Sequence, residues 1–210
     1  MMTTTAMKSL SDVIKERHSV RKYDPNFKIS RQEIEEILGE AISAPSSSNL
    51  QPWRFIVFDD QNTKKELREI ANNQEQVETS SAVIAVLADK EMYRNIERVY
   101  RSANEAGYMD EANMERLIKS ANSTYPHASE EIRKNIAFFD TGLVSMQIML
   151  LAKAKDYDTV PMGGFDKAKF SQRFAVSERY EPVVLIALGK AAAPAFKTTR
   201  IPLKDVLEYK

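Results

Sequence analysis

The sequence has no cysteine, only two histidines and only six glycines among its 210 residues. The absence of cysteine excludes disulfides, thiolate nucleophiles and cysteine-ligated zinc or iron–sulfur sites. The two histidines, His18 and His127, are far apart, and neither has a second ligand at a metal-binding spacing. We therefore expect that the protein binds no metal ion.

An excess of charge of one sign is also missing, because 30 Lys and Arg balance 30 Asp and Glu. Such a chain has no overall attraction for nucleic acid or for an acidic membrane surface. The N-terminal MMTTTAMKSL lacks the apolar core of a secretory signal, and no uncharged apolar run is long enough to span a membrane. These absences predict a cytoplasmic protein that binds neither nucleic acid nor membrane.

The chain contains enough apolar residues, 43%, to bury a sizeable core. No repeat, low-complexity tract or Gly/Ser-rich linker divides it. We predict one domain over residues 1–210, with a helical excursion at about 92–124 and a C-terminal extension at about 191–210.

Helix and strand patterns alternate through the chain. SLSDVIKERHS predicts a short opening helix, and Ser30 with Glu33 forms a capping box for a second helix. Thr63 with Glu66 predicts another capped helix that runs to about residue 71. Apolar runs at 54–58, 81–89 and 183–190 predict buried strands. Because these runs are apolar on both faces, we expect a sheet covered by helices on both sides.

Residues 129–155 predict a long helix that is apolar on nearly every face. Ser129 supplies the N-cap, and two glutamates follow in the first turn. Asp140 and Gln147 in its middle argue against a membrane span. The rest of the domain can cover one face, so we expect a second subunit to cover the other, which predicts a homodimer.

The stretch ERHSVRKYD at 16–24 is the first polar cluster. If the opening helix continues this far, Arg17 and Arg21 lie on one face and can hold a phosphate, and Ser19 can add a hydroxyl. The alternative is a set of solvated cations at the end of a helix. By itself His18 is more typical of a structural than of a catalytic residue.

The stretch APSSSNLQPW at 44–53 has more polar groups than a turn needs. Two prolines restrict its ends, and between them stand Ser46, Ser47, Ser48, Asn49 and Gln51. These side chains can hydrogen-bond a flat heterocycle or a polyol, although a solvated serine loop has the same composition. Trp53, the single tryptophan, is more typical of a core anchor than of a stacking platform.

Two further clusters lie toward the C-terminus. In TVPMGGFDKAKF, Gly163 and Gly164 permit a close approach of the backbone to a ligand, and Asp166 can cap the following helix. An ordinary turn explains GGFD equally well, because it matches neither a dinucleotide fingerprint nor a P-loop. Lys197 and Arg200 can complete an anion site or simply lie on a solvated tail.

The excursion at about 92–124 is rich in charge and carries scattered aromatic residues. The simpler interpretation is a solvated helical excursion with its aromatic side chains packed beneath it. The alternative is a lid over a ligand pocket, in which Tyr100, Tyr108 and Met109 contact a substrate.

Taken in order, these clusters resemble the FMN-dependent nitroreductase family. The likeness is carried by RHSVRKYD, APSSSNLQPWRFIVF, NNQEQV with SSAVIAVLAD, the apolar helix, VPMGGFD, PVVLIALGK and KTTRIP. Together they cover almost the whole chain. The resemblance implies an α+β fold with a mostly antiparallel central sheet flanked by helices. It also implies an intertwined homodimer with FMN at the subunit interface.

The resemblance further implies cofactor-binding residues in three regions. One set would hold the FMN phosphate, ribityl chain and pyrimidine: Arg17, His18, Ser19, Arg21, Lys197 and Arg200. A second would come from the other subunit: Pro45, Ser46, Ser47 and Asn49. A third would lie along the isoalloxazine edge: Asn73, Gln76, Pro161, Gly163 and Gly164.

Three positions depart from better-known members of that family. Many members have Glu in place of Gly163, Lys near Gln76, and Gly where this chain has Asp156. A backbone N–H at Gly163 can still donate, so FMN binding is expected to survive. A neutral Gln76 would stabilise a reduced flavin anion less than a lysine would.

The implied activity is hydride transfer from NAD(P)H through FMN to a nitroaromatic or quinone acceptor, in ping-pong order. The chemistry would occur at flavin N5, and no side chain would act as acid, base or nucleophile. The alternatives are an FMN-binding sensor or flavin reservoir without turnover, and a dehydrogenase or dehalogenase of the same family. A purely structural dimer with solvated polar loops is a further alternative.

Overall fold

The computed structural model describes residues 8–210. The helices are α1 (Leu10–Glu16), α2 (Arg31–Ala41), α3 (Gln61–Ile70), α4 (Glu75–Thr79), α5 (Ile96–Glu105), α6 (Glu111–Thr124), α7 (Glu130–Ala154) and α8 (Lys167–Arg173). The strands are β1 (Trp53–Phe58), β2 (Ala82–Asp89), β3 (Asp158–Met162) and β4 (Tyr180–Gly189). Single 3₁₀ turns occur at Ser47–Asn49, Met92–Asn95 and Leu203–Asp205.

The strands form one four-stranded sheet in the order β1-β2-β4-β3, and every pairing is antiparallel. Helices lie on both faces, which confirms the predicted α+β fold with a covered antiparallel sheet. The apolar runs did not predict β3, which ends directly before GGFD, the stretch for which an ordinary turn was one interpretation. Pro161 is tolerated in β3 because a terminal strand of a sheet need not donate every backbone N–H.

Helix ends agree with the sequence in several places. Both hydrogen bonds of the capping box between Ser30 and Glu33 are present at α2. Ser129 caps α7 through the N–H of Ile132, and Asp166 caps α8 through the N–H of Lys169. Asp156 adopts a left-handed conformation (φ 60°) in the turn after α7, at the position where the resemblance implied glycine in many family members.

Two predictions about helix ends were wrong. The opening helix ends at Glu16, and Arg17 is already extended (φ −66°, ψ 113°), so Arg17 and Arg21 do not share a helical face. The helix α3 begins earlier than Thr63, because Asp60 accepts hydrogen bonds from the N–H groups of Asn62 and Thr63. Asp60 is therefore the N-cap of α3, and the expected capping box of Thr63 and Glu66 does not form the start of this helix.

The central helix α7 packs against α2 and against the sheet. Its inner residues join Ile37 of α2 and Ile186 of β4 in one core cluster, while Leu67, Phe170 and Leu185 belong to a second cluster on the opposite face. By length and composition α7 is apolar enough to cross a membrane. It nevertheless buries Asp140 and packs on a sheet, so it serves as a core helix here.

Apolar side chains remain uncovered on one face of α7 and on the C-terminal tail. Ile132 and Phe139 of α7 are 52% and 66% exposed, and Phe196 and Ile201 of the tail are 71% and 69% exposed. Single exposed apolar residues are ordinary, but a row of them indicates a contact surface. The sequence predicts that a second subunit covers the uncovered face of α7.

Candidate functional site

The N-terminal polar segment, residues 17–21, runs beside β3. Ser19 forms a parallel bridge with Thr159, and the N–H of Val20 donates to the carbonyl oxygen of Thr159 at 3.1 Å. This pairing fixes the backbone between Arg17 and Arg21. Arg21 and His18 are exposed at the surface, where the Arg21 guanidinium donates to Ser19 O at 3.3 Å and His18 Nδ1 lies 2.9 Å from Glu16 O.

Two buried polar atoms in this region have no partner within residues 8–210. They are Nε of Arg17 and Oγ1 of Thr159. A buried donor that has lost water costs about 1–3 kcal/mol if it stays unpaired. Unpaired donors of this kind mark places where a ligand or ordered water completes the structure. An anion is the natural partner for a guanidinium N–H.

The glycine turn, residues 163–164, follows β3 directly. The N–H groups of Gly163 and Gly164 donate to no backbone carbonyl within the described chain, and a Cβ placed on Gly163 would meet no atom within 4 Å. Space and two free donors are therefore present together. This is the arrangement that a planar ligand edge carrying acceptors requires.

The amide loop, residues 72–76, is held against the glycine turn. Asn72 Nδ2 and Gln74 Nε2 both donate to Gly164 O, at 2.9 and 3.0 Å. Asn72 and Asn73 have positive φ values of 55° and 56°, which turn the loop sharply. The loop that carries Asn73 therefore lies directly against Gly164.

Gln76 is buried, in contrast to the exposed Asn73. Its Nε2 lies 2.9 Å from Gln74 Oε1 and 3.4 Å from the sulfur of Met162. Gln76 therefore links the amide loop to the end of β3. Within this loop Asn72 and Asn73 are both exposed, and the amide of Asn72 already donates to Gly164 O.

The serine segment, residues 45–49, is built from backbone conformations that are uncommon for non-glycine residues. Ser48 and Asn49 have φ values of 50° and 54°, and Gln51 follows with a φ of 50°. The N–H of Gln51 donates to Ser46 Oγ at 3.0 Å, which closes the segment on itself. Several adjacent residues in sparsely populated conformations indicate a functional constraint.

A buried carboxylate on α7 holds this segment from below. Asp140 is 1% exposed, and it accepts hydrogen bonds from the backbone N–H and the hydroxyl of Ser47. Burial raises the pKa of Asp140, and these two hydrogen bonds oppose that shift. In the sequence, Asp140 argues only against a membrane span, and the signal for its role at the serine segment is that it is an isolated acid in an apolar helix.

The excursion helices support the serine segment from another side. Tyr100 is buried, and its hydroxyl donates to Ser48 O at 3.1 Å. Met109 packs in the core cluster of the excursion. Of the three candidate substrate residues, Tyr108 alone is largely exposed, at 84%. Tyr100 and Met109 thus serve the packing of the excursion, which the simpler interpretation of this segment anticipated.

Two groups of candidate residues result, and they are separate in one chain. The first group contains residues 17–21, 72–76 and 161–164, and the second is the serine segment. Within residues 8–210 no hydrogen bond joins them. Lys197 and Arg200 join neither group: both lie on the exposed tail, where Arg200 bonds only to Thr198 and Thr199.

Comparisons with known proteins are consistent with this arrangement. The profile of the Nitroreductase family matches residues 14–190. Bacillus subtilis YdgI, provisionally named an NAD(P)H nitroreductase, is 44% identical over 201 residues, which covers 95% of this chain and 96% of YdgI. An enone reductase of CLA biosynthesis from Lactiplantibacillus plantarum is 33% identical over 203 residues, covering 95% of this chain and 94% of the enzyme.

A solved structure extends the comparison to three dimensions. The crystal structure of an Exiguobacterium sibiricum protein, described as a nitroreductase in complex with FMN, is 41% identical and has a TM-score of 0.94. The alignment covers 99% of this chain and 100% of that one. The profile match, the identities and the shared fold agree over nearly the whole chain, and the protein therefore belongs to the nitroreductase family.

Proposed function

We propose that this protein is a cytoplasmic FMN-dependent oxidoreductase, which transfers hydride from NAD(P)H to a small-molecule acceptor in ping-pong order. The observation that carries the proposal is the unpaired, buried Nε of Arg17 beside β3, on the same rim as the glycine turn with its free N–H groups. A ligand with an anionic group and a planar edge of acceptors would satisfy both features. FMN has these two parts.

The residues present fit FMN in kind. A phosphate suits the guanidinium of Arg17, since guanidinium and phosphate form charge-assisted hydrogen bonds. The hydroxyls of Ser19 and Thr159 suit a polyol chain, and the N–H groups of Gly163 and Gly164 suit carbonyl and ring nitrogen acceptors. When bound, FMN supplies the site of hydride acceptance and release, and the protein supplies orientation and polarity.

The role of the serine segment follows from its separation from the first group. We propose that the segment of one subunit lines the FMN held by the first group of its partner in a homodimer. The relative from Exiguobacterium sibiricum was crystallised with FMN. The exposed apolar residues of α7 and of the tail support an extensive subunit contact. In such a dimer each subunit completes the site of the other.

Proposed roles can then be given to the residues of both groups. Arg17, with Arg200 and Lys197 once the tail is fixed by the dimer, neutralises the phosphate. The N–H donors of the glycine turn and the amide of Asn73 orient the ring edge and stabilise charge that develops there. Pro45, Ser46, Ser47 and Asn49 exclude water from the far side. Gln76 and Pro161 support this edge, while His18, Ser19 and Arg21 complete the rim near the ribityl chain.

The acceptor is proposed to be a nitroaromatic compound or a quinone. The name of the relative from Lactiplantibacillus plantarum adds a third acceptor class, the enone. All three accept a hydride at an electron-poor conjugated system, so no acid or base on the protein distinguishes them. In ping-pong order the oxidised nicotinamide leaves before the acceptor binds, so the reductant and the acceptor would occupy the same site in turn.

The test is an anaerobic visible spectrum of the protein purified after growth with excess riboflavin. We expect a flavin spectrum that bleaches with one equivalent of NADH or NADPH and recovers when p-benzoquinone, nitrofurazone or an enone is added. The relative recovery rates identify the acceptor class. A bound flavin that neither nicotinamide bleaches would show a flavin-binding protein without turnover. A colourless protein that takes up no FMN would refute the site.

A further inference from the structure

A cavity of about 560 Å³ opens beside the serine segment. Its wall is formed by the start of β1, the end of β2, the start of β4 and one side of α5. Asn49 and Gln51 belong to this wall, so the cavity is continuous with the segment that is proposed to line the flavin. Its volume is within the range of small-molecule sites.

The cavity has an excess of positive charge. Arg54, Arg98 and Arg179 line it, whereas Asp89 is the single carboxylate of its wall. Asp89 is fully engaged with Arg179, whose Nε lies 2.7 Å from Oδ1 and whose Nη2 donates to Oδ2. Arg54 and Arg98 form no ion pair within residues 8–210. Two positive charges in this wall are thus available to a ligand.

Of the two available guanidinium groups, that of Arg54 is held in place from within the fold. The Arg54 guanidinium lies over the ring of Tyr180 at 5.4 Å from its centroid, and Arg179 lies over the same ring at 5.2 Å. For Arg98 the fold anchors the helix backbone, because the N-cap of α5, Asn95, donates to Leu50 O at 2.8 Å. Such preorganisation lowers the entropic cost of binding an anion.

We propose that this cavity binds the phosphate groups of the nicotinamide reductant, with Arg54 and Arg98 as the ligands. The inference rests on the proposed function: the dihydronicotinamide must reach the flavin beside the serine segment, and its phosphates must lie outside. Guanidinium groups bind phosphate oxygens through paired, charge-assisted hydrogen bonds. An uncharged quinone or nitroaromatic acceptor would gain less from two arginines than a diphosphate would, which favours the reductant as the occupant.

The experiment is a stopped-flow measurement of flavin bleaching with three reductants. NADH and NADPH carry phosphates, and 1-benzyl-1,4-dihydronicotinamide carries none. Arg98→Gln and Arg54→Gln are each expected to raise the half-saturating concentration of NADH and NADPH about 5- to 20-fold. The rate with the benzyl compound should stay unchanged. Both arginines are exposed, so neither variant is expected to affect folding.

The matched control is Arg101→Gln, one turn further along α5. Arg101 is outside the cavity wall and pairs with Glu97, with 2.8 Å between Nε and Oε2. This variant should behave like the wild type with all three reductants. An effect of Arg101→Gln equal to that of Arg98→Gln would indicate a general surface charge effect and overturn the inference.

Three other results would also overturn it. In the first, the half-saturating concentrations of NADH and NADPH stay unchanged in both cavity variants. In the second, the bleaching rate with the benzyl compound falls as much as the rate with NADH and NADPH. In the third, the variants are defective only in flavin reoxidation by an anionic acceptor such as nitrobenzoate. Failure of the wild type to bleach with any reductant would refute the proposed function instead. Calorimetric binding of inorganic pyrophosphate, weaker in Arg98→Gln than in Arg101→Gln, would then still support the anion site, and equal binding would refute it.

Discussion

The carboxylate of Asp140 in the middle of α7 accepts two hydrogen bonds from a single residue, Ser47. The backbone N–H of Ser47 lies 2.9 Å from Oδ2, and its hydroxyl oxygen lies 3.2 Å from Oδ1. A buried charge is retained only where its partners compensate the loss of water. Here the compensation comes from the segment whose backbone has the unusual conformations, so the acid of the core helix and the shape of the serine segment are coupled.

The first prediction concerns this coupling. Asp140→Ala removes both acceptors and should weaken FMN binding about 10- to 100-fold, the equivalent of about one hydrogen bond to a charged group at roughly 1.5–3 kcal/mol. Asp140→Asn keeps an acceptor for the N–H and offers a donor to the hydroxyl, so it should weaken binding about 3-fold or less. Fluorescence titration of the flavin-free protein measures both constants.

Gln147→Ala is the control for that titration. Gln147 also lies on α7, but its amide donates to Ser43 Oγ and Glu40 O, outside the serine segment. It should bind FMN as the wild type does. Equal affinities for Asp140→Ala and the wild type would show that the carboxylate does not shape the site.

The second prediction tests whether two subunits share each site. Arg17→Ala removes the phosphate ligand in the first group, and Ser48→Pro is incompatible with the φ of 50° in the serine segment. Each homodimer should lose FMN. After the two variants are unfolded and refolded together, mixed dimers should contain one intact site, and about a quarter of the wild-type flavin content should return.

Refolding each variant alone provides the baseline for that experiment. If flavin content recovers in the mixture and in neither separate variant, the two groups of one site lie on different chains. If the mixture stays as colourless as the separate variants, each site is contained within one subunit.

The third prediction compares two glycines. A Cβ on Gly189 would lie 2.8 Å from Cδ1 of the buried Tyr23 ring and 3.1 Å from the N of Ser81, whereas a Cβ on Gly163 meets nothing within 4 Å. Gly189→Ala should therefore lower the free energy of unfolding by about 1–3 kcal/mol. Gly163→Ala should change it by less than about 0.5 kcal/mol.

Urea unfolding of the flavin-free proteins at one protein concentration measures both changes. A stability loss of similar size in the two variants would contradict the open space at Gly163. Such a result would also mean that the glycine turn lacks the space that the edge of a ligand needs.

The fourth prediction concerns Lys64, which is completely buried on α3. Its Nζ donates to Glu78 O and Ser80 O at the end of α4, the helix that carries Gln76. Burial lowers the pKa of Lys64 to about 8, and the charge of Lys28 adds to this shift. Between that value and the unfolded value of 10.5, the unfolded chain binds more protons than the native chain.

The free energy of unfolding should therefore rise with pH in this window. The comparison is with Lys64→Met, which has a similar length and no titrating group. The stability of the wild type relative to this variant should increase by about 1–3 kcal/mol between roughly pH 8 and pH 10. A difference that does not change with pH would show that Lys64 titrates normally or is solvated.

Local sequence signals predicted much of the secondary structure. The capping box of Ser30 and the apolar runs of β1, β2 and β4 were read correctly because each depends on neighbouring residues. The strand β3 was missed, since a five-residue strand that contains Pro161 has too little pattern of its own and owes its place to pairing with β4. The end of α1 at Glu16 was missed because pairing of Ser19 with Thr159 draws the chain into an extended conformation.

For the candidate site, the sequence by itself determined the kinds of groups available: the arginines, the serine segment, the paired glycines and the absence of any thiol. Composition and order along the chain carry that information, because they decide which chemistry is possible. Only the tertiary structure decided which groups meet. Asn72 and Gln74 contact Gly164 across about 90 residues, Asp140 reaches Ser47 across 93, and Arg54 lies over Tyr180 in the wall of a common cavity. Such contacts depend on the packing of helices on the sheet, which no local pattern encodes.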